Sequence, residues 1–191
     1  MDLTGQVVLI TGGSRGLGRA FAQALLAAGA RVAIIDILAT ELHETAAQLS
    51  SAANKVVAIR ADVTDPQAAP QVVTTVEERL GPITLLINSA GQFRAFGPIG
   101  VVDPIAWWNE VEVNLRGPFL YANAVLPGMR RRHRGRSSTW RVARAFKASR
   151  RSPPMSQVRP PSSALVKPWR WKPLKMAFRF LPSILEPSAH R

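Results

Sequence analysis

The chain has 191 residues, a formal net charge of +13 and no cysteine. That length fits one domain with a real core, and the lack of cysteine excludes a disulfide framework, a thiolate metal site and a cysteine nucleophile. The charge is unevenly placed: residues 1–112 hold seven Lys+Arg against eleven Asp+Glu, and residues 113–191 hold 18 against one. No glycine follows Gly135, whereas eight of the 15 prolines and three of the five tryptophans do. The sequence therefore predicts an organised region, 1–135, and a basic Pro/Arg/Ser-rich tail, 136–191, expected to be disordered. It opens with no basic segment leading into an apolar stretch, and no run reaches spanning length. A cytoplasmic protein with no membrane partner is the expectation.

In chain order, Val7-Val8-Leu9-Ile10 is an apolar strand running into the glycine-rich turn Thr11-Gly12-Gly13-Ser14-Arg15-Gly16-Leu17-Gly18. The turn opens a helix whose apolar side continues through Phe21, Leu25 and Leu26, with Gly29 as its C-terminal cap. Such a turn can cradle a phosphate, because helix-start N–H groups carry partial positive charge and glycines let an anion approach. Glycines also serve ordinary turns, so the context matters. Here the turn follows a strand, precedes a helix, and is followed by a second strand, Arg31 to Ile35, ending at Asp36.

Residues 39–51 predict a helix, 56–61 a third strand, and Asp62-Val63-Thr64-Asp65-Pro66 a capping signal into a helix reaching Leu80. Ile83 to Asn88 is a fourth strand. This alternation predicts an α/β fold, a doubly wound parallel sheet of order 3-2-1-4, with ligand at the carboxyl ends near the switch between strands 1 and 4. Asp103-Pro104 starts a further helix that Gly117-Pro118 and Pro127-Gly128 are expected to bend or interrupt. Trp107 and Trp108 on that helix read as packing residues rather than a ligand cage.

These residues together resemble the short-chain dehydrogenase/reductase family over residues 1 to about 135. Thr11 to Gly18 is similar to its cofactor turn, Asp36 to its ribose-binding acid, and Asp62-Val63 to the pair at the adenine. Asn88-Ser89-Ala90-Gly91 resembles its Asn-Asn-Ala-Gly motif, and Val113-Asn114-Leu115-Arg116-Gly117 the segment holding its catalytic-relay asparagine. The resemblance implies a Rossmann-type sheet, truncated here after about the fourth strand and the following helix. It also implies an NAD(P)-dependent oxidoreductase acting on a small alcohol or ketone, and a homo-oligomer whose interface includes the helix around Asn114. The implied cofactor-binding residues are Gly12, Ser14, Arg15, Gly16, Leu17, Gly18, Asp36, Asp62, Val63, Asn88, Ala90 and Gly91, with Asn114 catalytic and no metal. Asp36 lies 18 positions beyond Gly18, near the roughly 20 of the acid that bonds a ribose hydroxyl. Its charge would repel a 2′-phosphate and favours NAD over NADP, although Arg15 pulls the other way. Each residue also has a plainer reading: Asp36 as a strand-end turn residue, Asp62 as a helix-capping carboxylate, Asn114 as a polar face residue.

The family's catalytic Ser, Tyr and Lys have no counterpart in the chain. The one tyrosine, Tyr121, is followed four places later by Val125, and Arg136-Ser137-Ser138-Thr139-Trp140-Arg141 does not read as the apolar strand that should deliver the serine. Without further strands, the apolar edge at Ile83 to Ile87 is expected to lack a partner and promote aggregation. The break falls at Gly135-Arg136. Pairing the last base of each later codon with the first two of the next allows tyrosine at Pro154/Met155 and lysine at Val158/Arg159, four places on. The same frame allows Ile-Ile-Asn-Val-Ala-Ser from Arg136/Ser137, forces glycine at Met176/Ala177, and allows Pro-Gly-Thr over Ile184 to Pro187. One base lost in the codons for Arg134 to Arg136 accounts for all of these landmarks at family spacing. Two other readings stand beside the enzyme: a non-catalytic dinucleotide-binding remnant, and a basic protein that binds nucleic acid or an acidic surface through Arg130 to Arg136 and the basic region with Trp140, Trp169 and Trp171, although any tail this basic would bind RNA non-specifically.

Overall fold

The computed structural model describes residues 2–51, 56–95 and 97–139. These lie in one compact unit, Met1–Val142, and the second unit, Ala143–Arg191, falls outside the described residues, as does the expectation of a disordered tail. Strands β1 (Val7–Thr11), β2 (Arg31–Asp36), β3 (Val57–Arg60), β4 (Leu85–Asn88) and β5 (Arg136–Thr139) form one sheet, all parallel, in the order β3-β2-β1-β4-β5. Helices α1 (Gly16–Ala27), α2 (Ala39–Leu49), α3 (Ala68–Leu80), α4 (Pro104–Val111) and α5 (Gly117–Arg131) alternate with the strands, and a π-turn, Glu112–Arg116, joins the last two.

The near-continuous apolar strands have the doubly wound arrangement as their cause. Successive strand residues point to opposite faces, and both faces are covered. On one side Val8, Ile10, Val32 and Ile34 meet Ala22 and Leu26 of α1 and Leu42 and Ala46 of α2. On the other, Val7, Leu9, Ala33 and Ile35 meet Val72, Val76 and Leu80 of α3 and Tyr121, Val125 and Met129 of α5. Each fully buried aliphatic chain of this kind contributes roughly 1.5–3 kcal/mol, so the central strands hold the sheet together. α1 and α2 leave from one face while α3 and α5 occupy the other. A crevice therefore opens between the carboxyl ends of β1 and β4, where Thr11 and Asn88 stand side by side in register.

The sheet corrects one expectation. β4 is not left as a bare edge, because β5 pairs with it from Leu85↔Arg136 to Asn88↔Thr139, and the Arg136 N–H reaches the Thr84 carbonyl at 2.9 Å. Arg-Ser-Ser-Thr carries no apolar pattern, yet backbone N–H and C=O groups make the ladder, and the open edge of β4 needs partners whatever side chains approach. Among the described residues no strand lies beyond β5.

The helices show two more departures. The long helix is interrupted earlier than Gly117-Pro118, at the π-turn, and α5 then runs unbroken through Pro127. Pro118 sits in the first turn, where a missing N–H costs little, and Pro127 is exposed, so water can satisfy the carbonyl it leaves free. Trp107 and Trp108 are not core residues. They are about half exposed on α4 and lie against each other with ring centroids 6.0 Å apart. At the other end of α5, Arg132 donates to the Glu77 carboxylate at 3.0 Å and to the Ile83 carbonyl at 3.2 Å, tying α5 to α3 and to the approach of β4.

Candidate dinucleotide site

At the carboxyl ends of the strands lies a cleft of about 520 Å³. Its floor is the turn after β1. Gly12 takes a φ of +68°, a conformation that side-chain-bearing residues rarely adopt, and a Cβ there would lie 2.7 Å from the Ala90 backbone. Gly18 is held even closer: a Cβ would sit 2.0 Å from the Gly12 carbonyl oxygen. These contacts draw the start of α1 against the turn. Arg15, the residue before the helix, is extended at φ −154°, its side chain caps nothing, and the first turn holds no acid. The unsatisfied N–H groups and the positive end of α1 are thus free for an anion.

Asp36 marks one side of the cleft. Its Oδ2 accepts from the Ser14 hydroxyl at 2.6 Å and the Ser14 N–H at 3.2 Å, and its Oδ1 accepts from the Leu38 N–H at 3.2 Å. Ser14 is itself buried, with its carbonyl accepting from Thr45 Oγ1 of α2 at 2.6 Å. The sequence treats Ser14 as a cofactor contact; in the fold it is not on the cleft lining and instead holds Asp36 to the turn. Asp62 and Val63, after β3, line the next part. Asp62 Oδ1 accepts from the Thr64 N–H at 2.9 Å and hydroxyl at 2.8 Å, so its capping role coexists with its place at the cleft. Val63 packs against Gly117, where a Cβ would lie 3.0 Å from its Cγ2.

The far side follows β4. Thr11 Oγ1 accepts from the Ser89 N–H at 3.1 Å and the Ala90 N–H at 3.0 Å, stitching the ends of β1 and β4 together. Ala90 and Gly91 line the cleft; Asn88 does not, being buried beside β5 with its Nδ2 3.5 Å from Thr139 Oγ1 and its Oδ1 without a partner among the described residues. Asn114 is also off the lining. It sits in the π-turn and pairs both ways with the Gln92 backbone, Nδ2 donating to the carbonyl at 2.8 Å and Oδ1 accepting from the N–H at 3.0 Å. Arg15, Leu17, Gly18 and Gly12 complete the lining nearest α1, while Gly16, at φ +56°, stands off it.

The groups that sequence reading did not single out are mostly braces: Thr45 for the turn, and Gln92 and Glu110 for the loop after Gly91. Thr11 was visible within the glycine motif, but nothing in the spacing of Thr45 or Glu110 distinguishes a brace from a surface polar residue. Tyr121 stands in the core with no exposure, and its hydroxyl has no partner among the described residues. Burial, and then the charges of Asp62 and Asp65, push its pKa above the ordinary phenol value. A phenol so placed neither reaches the cleft nor gives up its proton at neutral pH. Among the described residues no three His, Asp or Glu side chains gather as metal ligands, and no helix is long and apolar enough to cross a membrane.

A parallel doubly wound sheet with a glycine cradle at its switch point and an acid at the end of β2 defines the Rossmann-type dinucleotide-binding class. The comparisons specify it. A family model described as short chain dehydrogenase matches residues 6–137. The chain is 42% identical over 133 residues to a short chain dehydrogenase of Monascus ruber, covering 66% of this chain and 44% of that protein. It is 38% identical over 133 residues to 2-(S)-hydroxypropyl-CoM dehydrogenase 3 of Xanthobacter autotrophicus, covering 70% and 52%. Among solved structures, a short-chain type dehydrogenase/reductase from Mycobacterium ulcerans superposes with a TM-score of 0.69 at 25% identity, covering 73% of this chain and 52% of that one. A metagenomic short-chain oxidoreductase in complex with NADP gives 0.68 at 30%, covering 73% and 63%. The chain belongs to the short chain dehydrogenase family, and it spans about half the length of these curated relatives.

Proposed function

We propose that the described domain binds NAD in this cleft as the cofactor half of an oxidoreductase that interconverts a carbonyl and a secondary alcohol. The observation that carries the reading is the link between cradle and acid: the turn that leaves α1 open to a pyrophosphate also holds the Asp36 carboxylate through Ser14. The fit is favourable, since Gly12 and Gly18 let the start of α1 close on the turn, where a Cβ at either would meet backbone. In this reading the N–H groups from Gly16 to Gly18 hold the pyrophosphate, Asp36 accepts from the adenosine ribose, and Asp62 and Val63 border the adenine. Ala90 and Gly91 form the side toward the nicotinamide, with Asn88 buried behind them. When bound, the nicotinamide supplies hydride transfer.

NAD is favoured over NADP because a 2′-phosphate beside Asp36 would meet a fixed carboxylate. Arg15, exposed on the same cleft, moderates that preference without reversing it. Equilibrium titration with both cofactors tests the assignment. The intact chain is expected to bind NAD at least about tenfold more tightly than NADP, and Asp36→Ala to narrow that gap by weakening NAD while strengthening NADP. An unchanged ratio in the variant removes Asp36 from cofactor selection.

The chain as written binds without turning substrate over, because nothing in it takes the part of the family's serine, tyrosine and lysine. Asn114 keeps its place in the relay segment but is engaged with the Gln92 backbone. The exposed Leu115 and Phe119, on one side of the π-turn and α5, favour a second copy of the chain as partner, in keeping with the family's homo-oligomers. A cytoplasmic location fits the same reading. Exposed Arg130, Arg131, Arg134 and Arg136 would add weak, salt-sensitive nucleic-acid binding without sequence selectivity.

A further inference from the structure

The loop after Gly91 has no secondary structure of its own, yet it forms one wall of the cleft through Gly91, Gln92 and Arg94. Its shape is imposed from α4 and the π-turn. Asn114 takes both polar groups of the Gln92 backbone, and the Gln92 side chain donates to the Asn109 carbonyl at 3.2 Å. The next two amides go to one carboxylate: Glu110 Oε1 accepts from the Arg94 N–H and from the Ala95 N–H, the latter at 2.7 Å. Glu110 and Asn114 lie four positions apart, so one helical face carries both braces.

The two braces are unlike in origin. Asn114 stands in a segment that marks the family, whereas Glu110 is an acid that neither lines the cleft nor forms an ion pair among the described residues. Hydrogen bonds from backbone N–H groups to an ionised acceptor are among the stronger ones available to a loop. A carboxylate that satisfies two consecutive amides fixes the peptide planes on either side of Arg94, and with them the direction in which Arg94 meets the cleft. We infer that Glu110 is a positioning residue for the cofactor cleft: it holds the 92–95 wall in a binding-ready shape, so that the dinucleotide does not have to order that loop on arrival. This rests on the reading of the cleft as a dinucleotide site.

The test uses the full chain with Glu110→Ala and Glu110→Gln, NAD titration, and hydrogen exchange read at individual amides. Glu110→Ala is expected to weaken NAD binding about tenfold and to speed exchange at Arg94 and Ala95, while Ser89 and Ala90, held by Thr11, exchange as before. Glu110→Gln keeps a carbonyl acceptor and is expected to restore most of the affinity and protection, which a general loss of stability would not allow. Affinity unchanged in Glu110→Ala, or faster exchange spread evenly over the sheet, overturns the inference. Should the unaltered chain fail to bind NAD, the dinucleotide reading falls, and unchanged protection at Arg94 and Ala95 in Glu110→Ala would overturn the loop anchor on its own.

Discussion

Gly18→Ala abolishes the cradle. The added methyl group would stand 2.0 Å from the Gly12 carbonyl oxygen and 2.8 Å from its carbon, and both atoms are backbone rather than a side chain that can swing away. Gly12 has no easy retreat, because its own Cα already packs on the Ala90 backbone at a distance that would not admit a Cβ. Relief therefore requires α1 to move off the turn, which separates the helix start from the anion it is placed to receive. Destabilisation of about 3 kcal/mol follows from forcing an extra carbon into such a contact. NAD affinity is expected to fall more than roughly a hundredfold. Denaturant unfolding and NAD titration of the variant read the two effects separately. Near-normal binding would mean that the turn is not the phosphate site.

The second large effect concerns chemistry rather than binding. If one base was lost in the codons for Arg134 to Arg136, inserting it restores an apolar strand in place of Arg136–Thr139, a serine across Arg141/Val142, and tyrosine and lysine across Pro154/Met155 and Val158/Arg159. β5 already occupies the position that strand would take, paired with β4 from Arg136 onward. Restored side chains would thus inherit a seat beside Asn88, whose buried Oδ1 lacks a partner among the described residues. The expected result is NAD-dependent oxidation of secondary alcohols by the repaired chain and none by the chain as written. A positioned acid and base alone contribute about 10²–10⁴-fold, so the difference is easily measured. Sequencing the gene across those codons is the companion check: an unbroken coding frame shared by close relatives would contradict the loss.

The fold up to β4 was legible because buried parallel strands write themselves as apolar runs, and Val7 to Ile10, Val32 to Ile35 and Leu85 to Ile87 are such runs. The glycine turn, Asp36 and Asp62 were legible for a related reason: each is demanded by a local geometry that few other residues meet. β5 was not, since Arg136 to Thr139 pairs through its backbone ladder and shows no hydrophobic pattern. The tryptophans misled for the opposite cause. Apolar side chains on a helix indicate burial only if something covers that face, and Trp107 and Trp108 are half exposed. Ser14 and Asn114 stand in the segments that suggested a role at the cofactor, yet their bonds run to Asp36 and Gln92 rather than into the cleft. Spacing identifies the neighbourhood of a side chain, while its partners depend on what the rest of the chain brings near.

The central claim, that this cleft receives a dinucleotide, is tested most directly by hydrogen exchange of the intact chain with and without saturating NAD. Protection is expected in the turn 12–18, where Gly12, Arg15, Leu17 and Gly18 line the cleft, and at residues 89–92, and not at the C-terminal turn of α5, on the opposite end of the sheet. Exchange unchanged at residues 12–18 under saturating NAD would contradict the account.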